Sequence, residues 1–231
     1  NNFNYIKSFK FVDEVLLLKN NFLSKFLMVK NLIKNQYKAL IIHDGKNRSK
    51  LISSFLKSEI KIISNNSLLF SHIVNIKKII KELNFSYIED DLNFFENRNS
   101  TNIVLPDDFI LFHYDEKWSN KTYISKYVDI EPNVDELMFF FESVVNKSKK
   151  KLVVTTGFKT PLILNSLLRK SFDENILFLD NLSFIDLESV VLKSKLLISC
   201  HGAVSHIASA KKIKQIDIID VNNENLYEKW T

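Results

Sequence analysis

Short apolar runs alternate along this 231-residue chain with longer amphipathic stretches, and this alternation restricts the fold more than any other feature. Apolar runs of about four to six residues are typical of strands that are buried on both faces of a parallel sheet. The stretches between them have helical spacing, and strands joined by helices form α/β architectures. The sequence therefore predicts an α/β protein with parallel sheets.

The first half of the chain is predicted to contain three strands and three helices. In the last of these helices Ile73, Ile76 and Ile80 form an apolar stripe, which predicts that this face is buried. Gly45 follows the second strand and permits a sharp turn there. The predicted strands are Val15–Leu18, Ala39–Ile42 and Lys61–Ile63, and the predicted helices are Phe22–Ile33, Arg48–Leu56 and His72–Leu83.

Residues from about 84 to 108 differ from the rest, since they are rich in Asn, Asp, Glu and Ser and lack periodicity. They also contain Pro106. Such a polar stretch is typical of an interdomain linker. We therefore predict two domains: an N-terminal domain over residues 1–105, which includes the linker, and a C-terminal domain over residues 106–231.

The α/β alternation starts again in the second half of the chain. Ser183 is predicted to cap a helix that ends at Lys193, and Pro161 is predicted early in another helix, where its missing N–H costs little. The predicted strands are Phe109–Phe112, Leu152–Thr155, Ile176–Leu179, Leu196–Ser199 and Gln215–Asp220, and the predicted helices are Asp135–Asn146, Thr160–Ser171, Ser183–Lys193 and Val204–Ala210.

Composition excludes several classes of protein. Three glycines cannot build a glycine-rich phosphate loop of the Rossmann or P-loop type, and a single cysteine excludes an internal disulfide and a cysteine-based zinc site. No apolar run approaches the length of a membrane span. The net charge of +5 is too small to indicate nucleic acid. We expect a cytoplasmic protein without a nucleic-acid partner.

Ligands of open parallel sheets bind beyond the carboxyl ends of the strands, often at helix N-termini that favour anions. The segment Cys200–His206 follows a predicted strand and contains a glycine and small residues. Small side chains let a phosphate approach backbone N–H groups, and His201 and His206 offer further donors. The alternative is an ordinary tight turn between a strand and a helix, in which neither histidine contacts a ligand.

Two other segments follow predicted strands. In the segment His113–Tyr123, Lys121 would neutralise a phosphate, and Trp118 or Tyr123 would pack on an apolar group. A solvated charged loop is the alternative there. The segment Thr155–Thr160 offers hydroxyls and a lysine, and ordinary turn and capping chemistry is its alternative.

The segment Lys147–Lys151 contains four lysines and one serine. It is predicted to form a helix C-terminus, where cations suit the helix dipole. Contact with an anionic lipid surface is a second interpretation of the same cluster.

Several segments have counterparts in one known family. These are Phe11–Val15, Gln36–Ser49, His72–Asn84, Phe112–Lys121 and Val204–Ala210. In order, they resemble the V-D-E-V, Y-D-L-V-I-D-L-Q-G-x-x-R-S, H-x-V-x-R-Y-L-x-L-L-x-x-L-G, H-P-G and G-L-S-H-L-A-A-A segments of the ADP-heptose:lipopolysaccharide heptosyltransferases, glycosyltransferase family nine. The match covers nearly the whole chain in order.

This resemblance implies a GT-B fold of two Rossmann-like domains, with the acceptor on the N-terminal domain and the nucleotide sugar on the C-terminal one. It implies a bacterial, inverting, metal-independent enzyme without a cofactor. A sugar would pass from a donor such as ADP-heptose to a lipid-linked saccharide of lipopolysaccharide biosynthesis, and a monomer would contact the inner face of the inner membrane. The implied donor-binding residues are His113, Lys121, Thr156, Gly157, His201, Gly202, Ala203, Ser205 and His206.

The sequence also departs from the family. His201 and Gly202 stand where the family has Asp and Thr, and no acidic residue lies near Lys159–Thr160. We expect the N-terminal domain to lack its first strand–helix unit, with the family's catalytic aspartate upstream of Asn1. These departures leave the donor sugar open. They also leave open a non-catalytic or degenerate α/β module that binds a nucleotide or glycan.

Overall fold

The computed structural model describes residues 3–18, 21–64, 72–89, 103–115, 118, 132–157, 160–168, 174–219 and 224. These residues belong to two units. The N-terminal unit contains the described residues up to 89, and the C-terminal unit contains those from 103 to 224. The domain boundary predicted between residues 105 and 106 stays a prediction.

The N-terminal unit contains a parallel two-stranded sheet. Its strands pair from Gln36 opposite Lys57 to Ile42 opposite Ile63, so both begin earlier than predicted. Asn21 caps the second helix by accepting a hydrogen bond from the backbone N of Ser24 at 2.7 Å. The elements are α1 (Phe3–Lys7), α2 (Phe22–Ile33), β1 (Gln36–Ile42), α3 (Asn47–Ser54), β2 (Lys57–Ile63) and α4 (His72–Glu82).

Two predictions for this unit are wrong. The predicted strand Val15–Leu18 has no regular secondary structure, because an apolar run becomes a strand only where another strand pairs with it. The stripe on α4 is not uniformly buried, since Ile73 is 37% exposed. Among the described residues of this unit, only Leu56 and Ile62 are buried apolar side chains, so the small sheet offers α4 little apolar surface to pack on.

The C-terminal unit has a five-stranded parallel sheet in the order β5-β4-β3-β6-β7. The chain proceeds outward from β3 to β5 and then crosses to β6, so the strand order reverses between β3 and β6. Ser183 caps α7, as predicted, by accepting from the backbone N of Asp186 at 3.2 Å. The elements are β3 (Phe109–Tyr114), α5 (Val134–Ser148), β4 (Lys151–Thr156), α6 (Leu162–Leu168), β5 (Ile176–Leu179), α7 (Phe184–Lys193), β6 (Leu196–Cys200), α8 (Ala203–Ala210) and β7 (Gln215–Ile218).

Alternate residues of these strands face two separate apolar layers. Phe112 of β3 packs in a layer with Phe141 of α5, and its neighbour Leu111 packs in the other layer with Val190 of α7 and Ile207 of α8. Helices α5 and α6 therefore cover one face of the sheet, and α7 and α8 cover the other. Burying a side chain of this size contributes about 1.5–3 kcal/mol, so the two layers hold the strands of the sheet in place.

Candidate functional site

The central strands of the C-terminal unit end side by side at one edge, which we call the carboxyl edge. Tyr114 lies opposite Thr156, and His113 lies opposite both Thr155 and Ser199. The predicted segments that follow β4 and β6 thus flank the end of β3. This edge includes the point between β3 and β6 where the strand order reverses, and ligands of open α/β sheets bind at such points.

A row of polar side chains crosses four strands close to this edge. Thr155, His113, Ser199 and Asp217 lie opposite one another in register on β4, β3, β6 and β7. The side chains of directly opposed residues share one face of a sheet, here the face covered by α7 and α8. All four side chains are buried, and buried polar groups are costly unless they are hydrogen-bonded. We call these four residues the polar row.

Asp217 holds the turn between β6 and α8 from within this row. Its Oδ1 accepts a hydrogen bond from the Ser205 hydroxyl at 2.6 Å, and its Oδ2 lies 3.1 Å from Nδ1 of His201. Since the single Ser205 hydroxyl hydrogen goes to Asp217, the Ser199 hydroxyl donates to Ser205 Oγ at 3.2 Å. The backbone N–H of Gly202 also donates to Ser205 Oγ, at 3.3 Å. A carboxylate only accepts, so His201 carries its proton on Nδ1.

The structure separates the predicted residues of this turn into buried and exposed ones. The side chains of His201 and Ser205 are buried, whereas Ala203 and His206 are exposed. The ring centroids of His201 and His206 lie 5.0 Å apart, and the two ring planes are inclined by 79°. The first hydrogen bond of the helix runs from His206 N to Gly202 O at 3.1 Å, so the N–H groups of residues 203–205 have no acceptor within the helix.

His113 is buried below the edge. Its Nδ1 lies 3.0 Å from the Thr155 hydroxyl, and its Nε2 lies 3.8 Å from the Asp115 carboxylate. Trp118 donates from Nε1 to the His113 carbonyl at 3.1 Å and stacks on Tyr114 with 5.1 Å between the ring centroids. Trp118 therefore packs in the apolar core and not on a ligand. Tyr123, the other residue expected to pack on an apolar group, lies outside the described residues, so that expectation stays a prediction. Lys121 lies outside the described residues, so its predicted role stays a prediction.

The segment after β4 uses its hydroxyls within the protein. Thr156 donates to Oδ1 of Asp180 at 2.7 Å and accepts from the backbone N of Asn181 at 3.1 Å. Thr160 also donates to the Asp180 carboxylate. These hydrogen bonds are the turn and capping contacts that were the alternative interpretation of this segment. They lie next to Gly157, one of the predicted donor-binding residues. The carboxylate of Asp180, which follows β5, thus lies beside Thr160.

Sequence reasoning missed Asp180 and Asp217. The available signal was local, since Asp217 is a carboxylate between Ile216 and Ile218 in a predicted strand and Asp180 directly follows another one. An acidic residue in so apolar a context needs hydrogen-bonding partners when the strand is buried. Their partners lie between 12 and 24 residues away in sequence, and only the sheet topology brings them together.

Within the described ranges, no group of three or more His, Cys, Asp or Glu residues could hold a metal ion. No helix in this part of the chain is both long enough and apolar enough to cross a membrane. The predicted independence from a metal remains a prediction.

No protein-family model and no curated protein sequence matches this chain. Its structure is similar to that of "E. coli heptosyltransferase WaaC with ADP-2-deoxy-2-fluoro heptose", with a TM-score of 0.55 and 12% identity over 83% of this chain and 64% of that one. For "E. coli heptosyltransferase WaaC with ADP" the TM-score is 0.52 and the identity 14%, over 83% of this chain and 65% of that one. This chain thus spans slightly less than two thirds of those proteins.

These similarities decide the fold. It is of the GT-B glycosyltransferase type. The predicted fold class, α/β with parallel sheets in two Rossmann-like units, is therefore confirmed. UDP-N-acetylglucosamine 2-epimerase from Rickettsia bellii has a TM-score of only 0.39 at 16% identity, over 79% of this chain and 42% of that one, which is too low to add to the assignment. Membership of glycosyltransferase family nine stays a proposal.

Proposed function

We propose that this protein is a glycosyltransferase that moves a sugar from a nucleotide-diphosphate donor to a glycan acceptor. The observation that carries the proposal is the carboxyl edge of the C-terminal unit. There the N-terminus of α8 lies next to the point where the strand order reverses, in a fold shared with a heptosyltransferase whose structures hold ADP and ADP-2-deoxy-2-fluoro heptose. This combination favours a donor site over an ordinary turn.

The β6–α8 turn would contact the diphosphate through backbone N–H groups and one side chain. The N–H groups of residues 203–205 have no helical acceptor, and the exposed His206 adds a ring N–H donor. The buried groups His201, Ser205 and Asp217 would act by holding the turn in place. Lys121 remains the cation that the family resemblance implies for the same diphosphate.

The proposed reaction is an inverting displacement without a metal ion. An acceptor hydroxyl oxygen forms a bond to the anomeric carbon, while the bond from that carbon to the diphosphate oxygen breaks. The electron pair leaves with the nucleoside diphosphate, and a base takes the hydroxyl proton. The N–H donors of the turn would stabilise the charge that develops on the leaving phosphate.

The partners are proposals that follow from the family resemblance. The donor is ADP-heptose or a related nucleotide sugar, and the acceptor is a lipid-linked saccharide. We place the reaction in the bacterial cytoplasm, at the inner face of the inner membrane, with a monomer acting without a cofactor.

The test is a calorimetric screen of ADP, UDP, GDP, CDP and TDP against the protein, followed by the sugar conjugate of the nucleotide that binds. We expect one nucleotide to bind and its sugar conjugate to be consumed when a glycan acceptor is present. If none of the five binds, the donor-site proposal is wrong. Binding without any sugar transfer would support the non-catalytic module, which His201 favours because the family has an aspartate there.

A further inference from the structure

A lysine-lined cavity lies at the opposite edge of the five-stranded sheet, which we call the amino edge. Its volume is about 690 Å³. The cavity lies where strands begin and helices end, so it shares no residue with the candidate site at the carboxyl edge. Five lysines line it, one at the end of α7 and four in the connections that precede β4, β6 and β7. We call them the lysine rim: Lys150, Lys193, Lys195, Lys212 and Lys214.

The floor of this cavity is apolar. Ile110 is buried there, and Leu192, Leu196 and Ile213 are half-buried. The described residues that line the cavity include no carboxylate. Asp108 lies nearby and forms an ion pair with Lys150, so one charge of the rim has a partner of opposite sign.

Helix dipoles do not account for so many lysines. Helices α5, α7 and α8 end at this edge, and each helix C-terminus carries about −0.5 of an elementary charge. Three such ends correspond to a charge of about −1.5. The lysine rim outweighs this charge even after Asp107 and Asp108, which directly precede β3, are counted. The amino edge therefore has an excess of positive charge that can attract an anion.

The character of the rim indicates what kind of anion it suits. Lys193, Lys195, Lys212 and Lys214 are exposed, and a lysine is a mobile, hydrated point charge without the fixed donor geometry of arginine. Exposed, mobile charges around an apolar floor suit a broad anionic surface better than one small anion. Lys147, Lys149 and Lys151 continue the positive surface along the same edge.

We infer that the lysine rim binds the phosphate groups of an anionic lipid surface. This surface does not depend on the proposed sugar transfer, because it uses other residues at the opposite edge of the sheet. The sequence indicated only the segment Lys147–Lys151, whereas the structure adds four lysines, two at the junction of α7 and β6 and two between α8 and β7.

Co-sedimentation of the whole chain with lipid vesicles tests this inference. We expect binding to vesicles of phosphatidylglycerol mixed with phosphatidylcholine, and none to vesicles of phosphatidylcholine alone. Binding should be strong at about 0.01 M salt, where the screening length is about 30 Å. It should be lost at about 1 M salt, where that length is about 3 Å. Equal binding to both kinds of vesicle would overturn the inference.

Two substitutions remove charge with little risk to the fold. Lys212 has a φ of 55°, a backbone conformation that favours glycine, so Lys212→Gly removes the charge without backbone strain. Lys214→Gln removes an exposed charge beside it. Each should weaken vesicle binding about fivefold, and the pair about 25-fold. Lys78→Gln, at a side chain that is 73% exposed in α4, is the matched control and should change binding less than about twofold.

Three outcomes would overturn the inference even if vesicles bind. The first is a Lys212→Gly/Lys214→Gln double variant that binds vesicles as well as the unaltered protein does. The second is displacement of the vesicles by inorganic phosphate at constant ionic strength, since it would identify a soluble anion as the occupant. The third is tighter binding to a single-stranded oligonucleotide than to vesicles.

Discussion

At the carboxyl edge of the five-stranded sheet the polar side chains are buried and hydrogen-bonded to one another, whereas at the amino edge they are exposed lysines around a cavity. Both arrangements follow from the parallel topology, which collects helix N-termini at one edge and helix C-termini at the other. A buried network fixes the geometry of a turn, while exposed lysines provide charge without fixed geometry. One sheet can therefore hold polar groups in a fixed arrangement at one edge and carry mobile charge at the other.

Removing a carboxylate at each edge should give the largest difference between the two edges. Asp217→Ala removes the acceptor of two buried donors, His201 Nδ1–H and the Ser205 hydroxyl, of which the hydroxyl can turn to Ser199 Oγ, and should lower the free energy of unfolding by about 1–3 kcal/mol. Asp108→Ala removes only the partly exposed ion pair with Lys150 and should cost less than about 1 kcal/mol. Urea denaturation measures both, and similar losses would show that the Asp217 network contributes no more than a surface pair.

The next prediction concerns the exposed part of the β6–α8 turn. His206→Ala should weaken binding of the nucleotide diphosphate by about 1–2 kcal/mol, or roughly 5–30-fold, while the thermal midpoint stays nearly unchanged. Ser209→Ala, on the same helix, is the control and should leave the affinity unchanged. Equal affinities of the His206 variant and the unaltered protein in calorimetry would remove His206 from the site.

A stabilising substitution tests whether the lysines of the amino edge serve the fold. Lys149 ends α5 with a φ of 58°, where a side chain carries a conformational cost. Lys149→Gly should therefore stabilise the protein by about 0.5–1 kcal/mol in urea denaturation. A comparable destabilisation would show that the charge of Lys149 stabilises the end of the helix by more than the strained backbone costs.

The alternation of apolar and amphipathic segments was enough to predict the C-terminal unit closely. The strand Ile176–Leu179 and the cap at Ser183 occur where predicted, because both signals are local. Val15–Leu18 shows the limit of such signals, since an apolar run does not specify its own strand partner. The pairing of Asp217 with His201 and the lysine rim depend on the register and topology of distant strands, which no local pattern contains.

The smallest predicted effect concerns Asp44, a half-buried carboxylate of the N-terminal unit, which serves as a reference for the buried Asp217. The hydrogen bond from the Ser49 hydroxyl, at 2.7 Å, and then that from the backbone N of Lys46 lower the pKa of Asp44 below its ordinary value of 3.8. The resulting stabilisation is present above pH 3.8 and is lost as the pH falls through the lowered pKa.

Ser49→Ala should therefore raise the pKa of Asp44 toward its ordinary value, as followed by carbon NMR of the carboxyl group. Ser54→Ala is the control on the same helix, because Ser54 donates to the Leu51 carbonyl and not to Asp44. A pKa that does not change in the Ser49 variant would mean that this hydrogen bond is not formed in solution.

The most direct test of the donor site is an amide NMR titration of the protein with the nucleoside diphosphate that binds in calorimetry. We expect the largest shifts at Gly202, Ala203 and His206 of the carboxyl edge, and small shifts at Lys195 and Lys214 of the amino edge. The reverse pattern, with the largest shifts at the two lysines, would contradict the assignment of the nucleotide to the carboxyl edge.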